Sequence, residues 1–279
     1  MLVSRPELGP LIDGRSVASQ QIRNELLMQL PVQCREDIIA RAERVFVKRR
    51  HMLLERNVPL RYAYFIESGA AAMFATVSAD RASVEIRMLG AGDFVGIPLV
   101  LGGEMSPHGC TVQVPGEVWR IPAEDFLSLI DETPELRRLL LQYVHKALIH
   151  SSQLVACNTR HSLRERLARW LLVASDRLNS AEIALTHQVI GRALAVRRAG
   201  VTTEIGRMEE AGMIRRHRGC ISIVDRERLE NTSCNCQRVL RALPSRRLSC
   251  TVADVPASLR SRLGRPDVIA PMSRQARAS

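Results

Sequence analysis

The chain has 279 residues, 46% of them hydrophobic but only 4% aromatic, and a formal net charge of +11. That length accommodates two domains with largely aliphatic cores, and the charge suits a polyanionic partner, either a nucleic acid or an anionic membrane surface. No apolar run is long enough to span a bilayer, the first residues lack the basic start and apolar core of a signal peptide, and seven scattered cysteines do not form a secreted disulfide framework; a cytoplasmic protein is expected.

Residues 1–20 contain Pro, Gly and Ser without sustained periodicity and read as an extension. The amphipathic pattern from Gln21 to Leu30 predicts a helix that stops before Pro31, and residues 33–42 predict another. From Glu43 to Ile121 the pattern becomes one of short apolar runs: from Val45, from Tyr62 to Gly69, from Ala71, from Val84 to Leu89, from Thr111 to Val114 and from Glu117 to Ile121. Gly, Pro, Asn and Asp separate them at the spacing of an all-β roll. Gly90-Ala91-Gly92 lacks both the GxGxxG spacing and a surrounding βαβ unit, so it is not a dinucleotide loop. A short helix follows, with Pro122 in its first turn.

Residues 134–159 carry the longest helical pattern, with Leu136, Leu140, Tyr143, Ala147, His150 or Ser151, and Leu154 repeating at threes and fours. A narrow seam of that length predicts a two-stranded contact between helices of two chains; a core helix packed on the roll is the alternative. In the next helix Leu163, Leu167, Trp170, Leu171 and Ala174 face inward, and Ser162 with Glu165 forms a capping box.

The stretch from Ala184 to Val224 then reads as two helices and a β-ribbon. Thr186 caps the first helix, Ala195-Val196 forms the joint, and the second helix runs from near Arg197 to about Ala211 with Val201, Ile205 and Met208 on its packed face. Gly212 suits the C-terminal cap, and the segment from Ile214 to Val224 alternates around a turn at Arg218-Gly219. Arg197, Arg198, Thr202 and Thr203 cluster where a recognition helix meets base edges, with Thr186 and Gln188 on the helix before it. Arg has the fork that matches guanine, whereas Arg215, Arg216 and Arg218 on the ribbon suit phosphates. A solvated basic helix pair is the alternative reading of the spacing.

Three segments in this stretch, Leu185–Gly191, Arg197–Thr202 and Met208–Ile214, resemble the winged helix-turn-helix of the cyclic-AMP receptor protein–FNR (Crp/Fnr) family of bacterial transcription regulators. The resemblance implies an α+β chain with a cyclic-nucleotide-binding-like β-roll (residues 21–133), a dimerisation helix (134–159) and a winged helix-turn-helix (160–232), followed by a basic tail (233–279). It further implies a homodimer on palindromic sites in double-stranded DNA, with RNA polymerase as a further partner and with Arg198 on a guanine. Ala199 and Thr203 replace a Glu and an Arg common in the family, so the operator sequence is not carried over.

The roll resembles the family's sensor domain at Tyr64–Gly69, Leu89–Gly96 and Val118–Pro122. Members that bind cyclic AMP place a Glu on the ribose and an Arg on the cyclic phosphate; the matching positions here read Gly96-Ile97-Pro98 and His108-Gly109-Cys110. Cyclic AMP is therefore not the expected effector, and no other effector is implied. Members with an iron–sulfur cluster carry several cysteines near the N-terminus, where this chain has only Cys34.

Cys234-Asn235-Cys236 supplies half of a zinc site, and no Cys or His at structural-finger spacing completes it. An exposed pair, with no metal and no cofactor, is expected. No nucleophile elbow, HExxH or P-loop organises an enzyme. A non-DNA sensing or scaffolding protein that uses its basic surface on membranes or polyanions is the competing function.

Overall fold

The apolar runs fold as strands where turn residues bound them. They are β1 (Glu43–Val47), β2 (Met52–Leu54), β3 (Tyr62–Ile66), β4 (Ala70–Thr76), β5 (Ser83–Leu89), β6 (Phe94–Val95), β7 (Gly109–Val114) and β8 (Gly116–Pro122). The structure, a computed structural model, describes residues 22–76, 83–217 and 219–236. The chain divides into a unit Met1–Ala242 and a unit Leu243–Ser279. The expected extension at residues 1–20, Arg218 and the basic tail from residue 237 lie outside the described residues.

Two antiparallel sheets, ordered β1-β8-β3-β6 and β2-β7-β4-β5, face each other across the roll. Period-2 alternation turns their inner faces toward one core. Three of the chain's five phenylalanines meet there: Phe65 and Phe94 have ring centroids 5.0 Å apart, and Phe94 stacks on Phe126 at 5.3 Å. Aliphatic side chains such as Leu89, Ile121 and Leu129 fill the rest.

Helices α1 (Val32–Ala40), α2 (Ile97–Val100) and α3 (Ala123–Glu132) flank the roll, and α4 (Pro134–Arg160) and α5 (Leu163–Leu178) follow in the chain. At the start of α5 the Ser162 Oγ accepts from the Glu165 N–H while the Glu165 carboxylate accepts from the Ser162 N–H, completing the expected capping box. None of the described helices is long and apolar enough to cross a membrane.

Two expectations need correction. The helix expected from Gln21 to Leu30 is reduced to a 3-10 turn, Leu27–Gln29. The reason is Asn24, whose buried amide donates to the Ile66 and Asp93 carbonyls while its Oδ1 accepts from the Leu26 and Leu27 N–H groups. The Arg23 and Asn24 N–H groups are spent on the buried Glu67 carboxylate, which also accepts from the Trp119 indole. The backbone is thereby tied to the roll rather than wound as a helix.

The second correction concerns α4. Leu136, Leu140, Tyr143 and Ala147, expected in a seam between two chains, are buried within this chain; the first three join the core of the roll. The apolar side chains that α4 leaves outside are Leu141, Leu148 and Val155, 45%, 62% and 66% exposed. They recur every seven residues, so they lie on one stripe of the helix.

The roll and the C-terminal part interlock through β5 and the turn that follows. Met88 of β5 packs into the second apolar core, with Leu167, Trp170, Leu171, Ile190 and Ile205. Asp93, 2% exposed, accepts from Arg87 Nη2 at 3.0 Å, Tyr143 OH at 3.1 Å, the Gly90 N–H at 2.9 Å and Arg177 Nη1 at 3.0 Å. The carboxylate thus ties β5, α4 and α5 together. Gly90 sits so close to α5 that a Cβ there would lie 2.3 Å from the Arg177 carbonyl oxygen, a position only glycine can occupy.

Glu85 lies fully within this junction, with Trp170 Nε1 donating to its Oε1 at 3.3 Å and Oε2 without a partner among the described residues. Burial pushes its carboxyl from 4.5 up to about 7, against the opposing pull of the Trp170 hydrogen bond and Arg169. Because the folded value exceeds the unfolded one, the folded state prefers the protonated acid. The penalty is absent below the unfolded value, grows between 4.5 and about 7, and is complete above that. Its full size is on the order of 2–3 kcal/mol. Glu85→Gln keeps an acceptor for Trp170 and removes the charge. Denaturant unfolding should show the variant gaining on the wild type as pH rises from 5 to 8; a gap that stays constant over that range rules the effect out.

Candidate nucleic-acid interface

The C-terminal core is built so that one face of two helices is spent on packing and the other is left outside. Thr186 caps α6 (His187–Leu194), its hydroxyl accepting from the Val189 N–H at 3.4 Å. Ala195 then takes a left-handed conformation, φ 53°, which turns the chain sharply into α7 (Arg198–Glu210). Val201, Ile205 and Met208 of α7 are fully buried in the same cluster as Ile190 and Leu194 of α6. At the far end, Gly212, φ 72°, donates to the Glu209 carbonyl and Met213 to the Met208 carbonyl, the paired bonds of a Schellman cap.

The chain returns as β10 (Ile214–His217) and β11 (Cys220–Ile223), paired Ile214 with Ile223 through His217 with Cys220. A short strand between α5 and α6, β9 (Glu182–Ile183), adds to β11 and gives the order β10-β11-β9. The wing is therefore three-stranded where the sequence pattern indicated two. A last helix, α8 (Arg226–Thr232), is capped by Asp225 and buries Leu229 beneath α5.

The side chains expected at a DNA surface are outside. Thr186, Gln188, Arg197, Arg198, Thr202 and Thr203 are exposed on α6, the joint and α7, and Arg215 and Arg216 are exposed on β10. Thr202 Oγ1 donates to the Arg198 carbonyl at 3.0 Å and lies 2.9 Å from His187 Nδ1; Thr203 Oγ1 donates to the Ala199 carbonyl at 3.1 Å. With their hydroxyls bonded to the helix backbone, both threonines offer methyl groups to a partner. Partial burial, followed by the Arg198 and Arg216 charges, holds the His187 imidazole below its usual range, hence neutral at pH 7.

Arg216 is less free than its exposure implies. Its guanidinium pairs with Glu209, whose carboxylate also accepts from the Arg216 N–H at 2.7 Å. These bonds hold the Glu209 carboxyl below the usual range. Arg215, next to it on the strand, lies outside that pair.

The exposed face of the helix pair lies beside the roll. A cleft of about 660 Å³ is lined by Arg49, Arg50 and Arg56 of the roll together with Thr186, Gln188 and Arg192 of the helix pair. A smaller one, about 330 Å³, brings Ser83 and Val84 of β5 to Arg197 and Arg198.

The positions matched to the family's nucleotide pocket fall at two element starts. Gly96, φ 145°, precedes α2, which Ile97 and Pro98 open. His108 precedes β7, which Gly109 and Cys110 open; the Cys110 thiol is fully buried and raised to about 12 by that burial. His108 Nδ1 is buried without a hydrogen-bond partner among the described residues.

At the cysteine pair the structure differs from the sequence expectation. Cys234 and Cys236 are each 4% exposed rather than open to solvent, and Cys157 and His161 from the end of α4 join them. Local spacing rules cannot find partners 77 residues apart in the chain.

Comparison with known proteins agrees with this architecture. The family model for the cyclic nucleotide-binding domain matches residues 44–133, and that for the Crp-like helix-turn-helix domain matches residues 165–232. The global nitrogen regulator of Nostoc sp. is 23% identical over 175 residues, covering 59% of this chain and 78% of that protein. Its counterpart from Synechococcus elongatus is 21% identical over 174 residues, with the same shares of the two chains covered. FixK2 from Bradyrhizobium japonicum superposes with a TM-score of 0.62 at 18% identity, over 69% of this chain and 98% of that one. A CRP/FNR-family transcriptional regulator of Thermus thermophilus gives 0.57 at 23% identity, over 68% and 98%. With a roll that matches the cyclic nucleotide-binding domain, a long connecting helix and a Crp-like helix-turn-helix in one chain, the protein belongs to the Crp/Fnr family of transcription regulators.

Proposed function

We propose that the chain acts as a cytoplasmic homodimer that reads palindromic promoter sites, without control by cyclic nucleotides, and that it acts on transcription together with RNA polymerase. The observation that carries this reading is the division of α7: Val201, Ile205 and Met208 fully buried on one side, Arg198, Thr202 and Thr203 exposed on the other. A helix so anchored offers a rigid basic surface to a major groove. The exposed stripe of α4, three apolar residues at seven-residue spacing, supports dimerisation, which matches two half-sites of a palindrome. The absence of both nucleotide-binding charges at Ile97-Pro98 and His108 supports the lack of cyclic-nucleotide control, since a buried cyclic phosphate needs a countercharge.

Arg198 is placed to read a base, and Arg215 to hold a phosphate in preference to Arg216, which must first leave Glu209. Binding to fragments selected from the source genome, followed over a salt titration, tests the placement. Arg198→Ala should cost about 1–3 kcal/mol at the selected site and relax preference at one base pair. Arg215→Ala should weaken all sequences alike and flatten the logarithmic salt slope by about one unit. Added cyclic AMP should leave the wild-type curves unchanged. Unaltered base preference in Arg198→Ala would show that α7 is not the reading helix, and enhanced binding with micromolar cyclic AMP would restore nucleotide control.

A further inference from the structure

We infer that Cys157, His161, Cys234 and Cys236 form a four-coordinate site for one zinc ion, which ties the end of α4 to the segment after α8. The four ligand atoms all lie within 4.8 Å of one another. Cys157 Sγ is 3.5 Å from Cys234 Sγ, and Cys236 Sγ is 3.6 Å from His161 Nδ1. A tetrahedron with Zn–S bonds of about 2.3 Å and a Zn–N bond of about 2.0 Å has edges of roughly 3.5–3.8 Å. The cage therefore fits a single ion. An iron–sulfur cluster distributes its terminal ligands over several irons and needs a wider one.

Sequence and fold both bring the donors together. Cys157 and His161 are four residues apart at the end of α4, hence on one face, with His161 just past the last helical residue. Cys234 and Cys236 flank Asn235 immediately beyond α8. Three sulfurs and one imidazole make a closed structural set, selective for a soft or borderline cation over calcium or magnesium. The three buried cysteines form a cluster of their own, separate from both apolar cores, so packing into either core does not account for them.

The surroundings fit a bound ion. Gln153 Nε2 donates to Cys236 Sγ at 3.2 Å, the kind of outer hydrogen bond that fixes a thiolate ligand. Arg169 is only 4% exposed, its Nε lacks a partner among the described residues, and it lines a small cavity with Cys157 and Cys236. Zinc bound by three thiolates and a neutral imidazole carries one net negative charge, which that guanidinium balances. Binding expels the three thiol protons to solvent. A Cys157–Cys234 disulfide would use two of the four donors and leave Cys236, His161 and the Arg169 charge without a role.

Elemental analysis of the full chain, purified under reducing conditions, tests the site independently of any DNA binding. One zinc per chain is expected. The metal-free reduced protein should take up one equivalent of cobalt(II), with the visible bands of a tetrahedral ion and a thiolate charge-transfer band. Cys236→Ser and His161→Ala should each weaken zinc binding about 100-fold, whereas Cys34→Ser should leave the stoichiometry at one. Reduced, folded wild-type protein that takes up no cobalt overturns the proposal. So does iron accompanied by acid-labile sulfide, or a Cys157–Cys234 disulfide that persists in protein isolated without exposure to air.

Discussion

Leu148→Asp is expected to turn the proposed homodimer into a monomer with an intact fold. Leu148 is 62% exposed at the middle of the stripe made with Leu141 and Val155. In a two-fold contact between α4 helices each of these side chains meets its counterpart, and covering a leucine contributes about 1.5–3 kcal/mol. The substitution removes that term from both chains and places two like charges at the centre of the seam, where an unpaired buried charge costs about 3–5 kcal/mol. The dissociation constant should rise by more than about 100-fold. Sedimentation velocity over a concentration series reads it directly. Leu140→Asp provides the contrast: that side chain has no exposure and lies in the core of the roll, so its loss should appear as unfolding. A Leu148→Asp protein that sediments as the wild-type dimer would move the interface away from this stripe.

Asp93→Asn should be the most damaging single change in the junction between the roll and α5. It keeps the shape but removes the charge that faces two guanidinium groups, Arg87 and Arg177. Arg87 is 9% exposed and cannot turn to water, so its charge is left buried and unbalanced. The cost expected is about 3–5 kcal/mol, or a fall of about 10 °C in Tm for a chain of this size. Arg177→Met should cost much less, because that side chain is a third exposed and Arg87 keeps its partner. Calorimetry of both variants separates the cases; equal losses would mean that Asp93 acts through Arg177 alone.

The elements that sequence reveals here are those whose pattern is local. The roll strands carry apolar runs broken by Gly, Pro, Asn and Asp, and α5, α6 and α7 carry their own caps at Ser162, Thr186 and Gly212. Strands β2 and β6 and helix α2 have three, two and four residues, too few to establish a period. Helix α4 misled for a different reason. It bears two apolar stripes, and the richer one, through Leu136, Leu140 and Tyr143, belongs to the roll. Which stripe meets which neighbour depends on where the sheets lie, and periodicity along one helix contains nothing about that. The exposed positions of α7 were legible because helix-turn-helix geometry fixes which side of that helix is packed. Arg216 was only half read, since its pairing with Glu209 comes from the wing folding back over α7. The cysteine cluster was not legible at all, because its two halves meet only after the whole C-terminal part has folded.

Strand β5 belongs to two cores at once, and this limits how far the chain can be treated as exchangeable parts. A chimera joined at His161 would move α5 to α8 onto another sensor domain and would look like a clean cut between modules. It would leave behind Met88, which fills part of the C-terminal core, and Glu85, the acceptor for Trp170. It would also leave Asp93, the partner of Arg177, and the glycine that lets the Arg177 backbone approach. A donor roll with any side chain in place of Gly90 would collide with α5 before the other contacts could form. Grafts that keep both cores filled must carry β5 and the turn to Asp93 along with the helices, so the transferable unit includes the seam between the two cores rather than ending at it.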